Sequence, residues 1–301
     1  MINYIKMDLY KLFKGKALYI CMLIFLGLLS ISVIEMKDME KEEEYNISGI
    51  TLTIEEKDNN SDVDNEMLQG IKEGIEDGQN VSYPNTGIGM DTESVVNEGI
   101  TLGGWMRAIY SGNLMINILL IVMAIFICND FSGGFIKNTI NIPKHKWYVN
   151  FSKIVSAMVV FLMQNIIGIS VYLFAREFVF KASKIGEIKE VLIYILVEML
   201  LYMGIVSIIM FVCNVTRSKA AGIISGMIIS IQLISSTVSV LLDKIFDVEN
   251  TKTMKMFMSS MATMLKPDMN TELMRNAIVL GILGVFVWFT LSNIAITKKD
   301  F

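Results

Sequence analysis

Histidine, arginine, cysteine and proline are all scarce in this chain of 301 residues, and each scarcity closes off a class of function. The single histidine, His145, leaves no His pair to hold a catalytic metal. Three cysteines, Cys21, Cys128 and Cys213, all fall inside apolar runs, which excludes a secreted scaffold stapled by disulfides. Neither a GxSxG nucleophile elbow nor a CxxC pair is present. A phosphate-cradling GxxxxGK[ST] loop is missing too, since Gly15 and Lys16 are followed by Ala17. The chain is therefore not expected to be an enzyme, and it carries no cofactor or metal site of its own. Four arginines and 22 lysines are outweighed by 30 acidic residues, and the net charge of −4 argues against binding nucleic acid. The three prolines, Pro84, Pro143 and Pro267, all stand outside the apolar runs.

What is abundant is apolar surface. Hydrophobic residues make up 53% of the chain, above the roughly 45–50% of a soluble globular protein. They gather in six runs, 17–34, 108–128, 154–174, 191–213, 220–242 and 277–297, each close to the roughly 20 residues that cross the hydrocarbon. The expected fold is an all-α integral membrane protein with six transmembrane helices. An even number of spans puts both termini on one side. That side, comprising 1–16, 129–153, 214–219 and 298–301, holds 12 basic and 3 acidic residues, whereas the opposite side holds 14 basic and 26 acidic in more than twice the length. The positive-inside rule then gives an N-in, C-in topology.

Residues 1–16 repeat apolar positions at helical spacing, with Ile2, Ile5, Leu9, Leu12 and Phe13 separated by Lys6, Lys11 and Lys14. This predicts an amphipathic helix lying in the cytoplasmic interface. The acidic extracellular segment 35–107 offers a strand at 47–54 and a helix at 67–75, thin material for an independent core. In the extracellular loop 243–276, Met254, Phe257, Met258, Met261, Met264 and Leu265 share one helical face and predict a short interfacial or re-entrant helix ended by Pro267. Gly222 and Gly226 form a GxxxG, and Gly281 and Gly284 lie in the last run; such pairs let helices approach closely and can mark a dimer interface. With no proline in any span, a broken helix would have to open at glycine.

Glu198 is the one acidic residue within a span. Intramembrane carboxylates face a bundle interior or a wet cavity, which makes Glu198 a candidate for a translocation path.

The cytoplasmic segment 129–153 carries the densest set of signals. Asp130 and Ser132 can cap a helix, Gly133 and Gly134 permit a tight change of direction, FIKNTI supplies helical turns and Pro143 stops them. With Asn129, Asp130, Phe131, Gly133, Ile136, Lys137, Asn138, Pro143, Lys144 and Lys153, this stretch resembles the permease subunits of type-2 ABC exporters. Lys144 and Lys146 stand where that family usually has arginine, and DLYKLFKGKALYI at residues 8–20 is similar to its opening.

The resemblance implies a permease that works with a separate cytoplasmic nucleotide-binding ATPase subunit, which would hold the ATP and Mg²⁺. Asn129, Asp130, Phe131, Gly133, Gly134, Phe135, Ile136, Lys137 and Asn138 would form the element that couples to it. It also implies a second permease, identical or paralogous, and export of peptides or lipophilic antibiotics. The surrounding lipid would be that of a bacterial plasma membrane, as the bias of Lys over Arg also suggests. The alternative is a sensor or assembly scaffold that binds a ligand through its acidic extracellular segment.

Overall fold

The computed structural model describes residues 2–57, 90, 101–132, 146–180, 186–246, 253–268 and 270–298, and every regular element among them is helical. In chain order these are α1 (Ile2–Lys14), α2 (Lys16–Lys57), α3 (Leu102–Ser111), α4 (Leu114–Ser132), α5 (Lys146–Phe178), α6 (Ile188–Thr216), α7 (Lys219–Ser230), α8 (Leu233–Phe246), α9 (Met258–Met264) and α10 (Thr271–Lys298). Five stretches are long and apolar enough to cross a membrane: Lys16–Lys37, Leu114–Phe131, Trp147–Phe178, Ile188–Thr216 and Thr271–Thr297. A sixth crossing arises if α7 and α8, bent by 50° at their junction, count as one span. By length and composition, the chain is a multi-pass helical membrane protein.

Several boundaries differ from those read in the sequence. The run 108–128 is not one helix: the chain breaks at Gly112 and Asn113, where Asn113 has φ 58°, and the crossing helix begins at Leu114. Asparagine tolerates this left-handed conformation because its short polar side chain bonds locally. Residues 102–107 form, with 108–111, the buried helix α3. Its start is capped by the Thr101 hydroxyl, which accepts from the Gly104 N–H at 3.1 Å. The Trp105 indole N–H donates to the Gly168 carbonyl at 2.9 Å and ties α3 to α5.

The run 220–242 is interrupted as well, at Gln232 (φ 61°) rather than at proline or glycine. Polar side chains secure the break: Gln232 Nε2 donates to Thr263 Oγ1 at 2.9 Å, and Ser235 Oγ donates to the Gln232 carbonyl at 3.0 Å. Ser230 Oγ donates to Asn117 Oδ1 at 2.6 Å, joining this break to the start of α4. The backbone groups freed by a broken helix need such partners where no water reaches them.

Helix α2 continues to Lys57, so the strand expected at 47–54 is replaced by helix, while the helix expected at 67–75 lies outside the described residues. Helix α5 starts at Lys146, about two turns before the predicted span at 154, because Asn150, Ser152 and Lys153 are buried where α1 packs on it. The methionine stripe of the 243–276 loop does form a short helix, α9, two residues short of Pro267. It is packed inside rather than laid on a surface: Met261 and Leu265 are buried, and α9 touches α3, α6 and α10.

Helix α6 is the axis of the bundle, in contact with α3, α4, α5, α7, α9 and α10, and its contact with α10 is the most extensive of all. Glycine makes that approach possible. A Cβ placed on Gly281 would lie 3.2 Å from the Leu200 backbone carbonyl carbon. The GxxxG of α7 is used in the same way within the chain, with Gly222 against Cys213 and Ala124, and Gly226 against Leu120.

Candidate functional site

At the end of the bundle where α1 crosses α5, four charges meet. Lys153 forms ion pairs with Asp130, at the end of α4, and with Asp8 of α1, the latter at 3.2 Å. Lys11 Nζ reaches Asp130 Oδ1 at 3.1 Å and stands 4.0 Å from Asp8. The Ser152 hydroxyl donates to Asp8 Oδ2 at 2.5 Å, and Lys153 Nζ sits 4.0 Å from the centroid of the Phe126 ring. Two lysines balance two aspartates, so the buried cluster is neutral as a whole. Each member depends on the others, because removing one partner from a buried pair leaves an uncompensated charge.

Asp130 lies in the last turn of α4, and its two carboxylate oxygens are engaged by lysines, Lys11 of α1 and Lys153 of α5. Asn129 is exposed beside it, and Phe131 packs on Ile296 of α10. Gly133, Gly134, Phe135, Ile136, Lys137 and Asn138 lie outside the described residues, as do Pro143 and Lys144. Asp8 and Ser152 are partners that the sequence reading missed. The signal was a lone acidic residue among the lysines of the first 16 positions, facing the same way as buried Leu12.

One layer inward, asparagines join three spans. Asn214 Nδ2 donates to Ser292 Oγ at 2.6 Å and to Asn150 Oδ1 at 3.2 Å, and Asn150 Nδ2 donates to Asn293 Oδ1 at 2.7 Å. The beginning of α5 and the ends of α6 and α10 are thus held together at the same end as the charge cluster.

Glu198 lies far from that end, fully buried in the bundle. Tyr194 and Tyr202, one turn away on either side along α6, share its stripe, and α3 places Tyr110 edge-on to both rings at 5.3 and 5.6 Å. Phe161 of α5 closes the group, 5.5 Å from Tyr202.

A cavity of about 480 Å³ opens between α6, the α7–α8 break, α9 and α10. Its walls include Ile205, Ile229, Met258, Leu283, Val287 and Trp288, with Ser235 and Ser259 the polar members. Leu283 and Val287 are also among the exposed apolar residues, so the cavity opens sideways through an apolar surface rather than through a polar mouth. Glu198 is not among its lining residues.

The sequence matches no protein-family model and no curated protein.

Proposed function

We propose that the chain is the membrane-spanning permease subunit of an ATP-driven ABC exporter, N-in and C-in, moving a peptide or lipophilic cargo out across a bacterial plasma membrane. The observation that carries this reading is the Asp8–Lys11–Asp130–Lys153 cluster. It clamps the helices that enter and leave the 133–145 segment to the N-terminal helix. That segment is where the resemblance puts the ATPase-contacting element, comprising Gly133, Gly134, Phe135, Ile136, Lys137 and Asn138. A push on a segment anchored through rigid ion pairs at both ends is delivered to α4 and α5 instead of being lost in a slack loop. In this reading ATP and Mg²⁺ belong to the partner subunit, and a second permease completes the transporter.

The lateral apolar cavity fits a lipophilic cargo entering from the bilayer, because nearly all its lining is hydrocarbon. Glu198 is the charged residue with which a translocation path would have to contend. The deciding experiment is affinity purification of the chain from its native membrane. A cytoplasmic ATPase subunit should come with it, and adding that subunit to the reconstituted chain should produce ATP hydrolysis. Recovery without any ATPase, together with ligand binding by residues 35–107 alone, would favour the sensor or scaffold instead.

A further inference from the structure

The lateral cavity of about 480 Å³ is a poor site for water. A buried water needs roughly two to four polar partners. Of the two hydroxyls in the wall, that of Ser235 is engaged on both sides: it accepts from Ser260 Oγ at 2.7 Å and donates to the Gln232 carbonyl at 3.0 Å. Ser259 by itself falls short of that number. The mouth lies between Leu283 and Val287 of α10 and Ile234 of α8, all exposed, and the first two sit near the middle of the membrane-spanning stretch Thr271–Thr297. What reaches such an opening without crossing water is the hydrocarbon of the bilayer.

One side chain shapes the floor. Met258, the first residue of α9, lays its thioether into a notch where α6 meets α10, and a Cβ on Gly204 or on Gly284 would collide with its sulfur. Gly284 lines the cavity and Gly204 does not, so Met258 stands between the cavity and the helix behind it. Because both facing positions are glycine, the notch has the width of a single unbranched chain, and the Met258 side chain fills it. A helix of a second copy, about 10–12 Å across with its side chains, is too wide for a space of about 480 Å³ and would bridge over this floor. A flexible hydrocarbon chain can follow the apolar walls down to it. We propose that the cavity binds one acyl chain of a bilayer phospholipid, its terminal methylenes resting on the Met258 side chain. The inference does not rest on the permease reading, since a sensor or scaffold with the same walls would bind the same chain.

The test uses the full purified chain in a steroid-based detergent, whose fused rings do not imitate an acyl chain. It is titrated with a phosphatidylcholine carrying a diazirine at the end of one chain, irradiated, and mapped by peptide mass spectrometry. The adduct on Met258 should saturate at a single lipid per protein. Phe286, 69% exposed on the outer surface of α10, should instead label in proportion to the lipid added. Val287→Trp narrows the mouth at an exposed position and should cut the Met258 adduct about tenfold, with the Phe286 adduct unchanged. Met258→Ala shortens the floor by three heavy atoms and opens the notch. The acyl length bound best, read by competition among lipids of graded chain length, should then grow by about three methylenes. Met258 labelling that rises in proportion to lipid, as at Phe286, overturns the inference. So does a Met258 adduct that persists in Val287→Trp, or an unchanged preferred length in Met258→Ala. A dimer of the chain that leaves Met258 unlabelled would assign this face to a second copy and overturn it as well.

Discussion

At the scale of single residues, the charge cluster sets the sharpest expectation. Lys153 is the one cation that pairs with both Asp8 and Asp130 from within the bundle, while Lys11 is partly exposed. Lys153→Met keeps the apolar stem and removes the charge, leaving Lys11 alone against two aspartates. Loss of a partner from a buried pair costs about 3–5 kcal/mol, so the variant should unfold well before the wild type in a detergent melt. The double variant Asp8→Asn, Lys153→Met leaves the Lys11–Asp130 pair balanced and should recover most of that loss. If Lys153→Met melts with the wild type, the cluster is not a structural clamp. Part of this site was legible: Asp130 and Lys153 stand among the residues that carry the family resemblance. Asp8 was visible only as the first residue of the stretch similar to the family's opening, and a short basic segment before a span gives no reason to ask what one aspartate among its lysines faces.

At the scale of helices, the sequence announced apolar length well and continuity poorly. Hydrophobic runs of about 20 residues report the cost of exposing peptide groups to lipid, which is why each predicted run contains a helix here. Breaks are set by local side-chain bonding: the one at Asn113 directly follows Gly112, whereas Gln232 carries no proline or glycine signature, and the partners Asn117, Ser230 and Thr263 come from neighbouring elements. Gln232→Val should therefore lose the Thr263 bond and force a β-branched residue into a left-handed conformation. A loss of about 2–4 kcal/mol follows from strain plus an unmade bond, read as a lowered melting midpoint. Glycines separate into two kinds by what surrounds them. Gly281→Ala pushes a methyl group against the Leu200 backbone and should destabilise by about 1–3 kcal/mol. Gly27→Ala meets no atom within 4 Å and should be neutral or slightly stabilising through helix propensity. Equal melting points for the two variants would remove the close α6–α10 approach as an explanation for Gly281.

At the scale of the whole molecule, the proposed orientation and the proposed coupling stand or fall by accessibility. The charge cluster and the asparagine layer gather α1, the start of α5 and the ends of α4, α6 and α10 at one end of the bundle. Arg217, in a left-handed turn between α6 and α7, belongs to that same end, whereas Lys255 precedes α9 at the other. In the proposed orientation, the basic bias of the first end makes it the cytoplasmic one. In a background with Cys21, Cys128 and Cys213 replaced, an impermeant thiol reagent applied to intact cells should label a cysteine at position 255 or 60 but not one at 217 or 141. Labelling of 141 from outside would invert the molecule and place the 133–145 segment where no cytoplasmic ATPase could meet it. Given the expected orientation, a cysteine at position 136 should crosslink to the ATPase subunit more efficiently than one at 217. Phe135→Asp should insert at normal levels yet abolish transport by the assembled complex, because in the proposed coupling element a charge would weaken docking to the ATPase subunit. Wild-type transport by Phe135→Asp, or no crosslink from position 136, would leave the clamped helices without anything to receive.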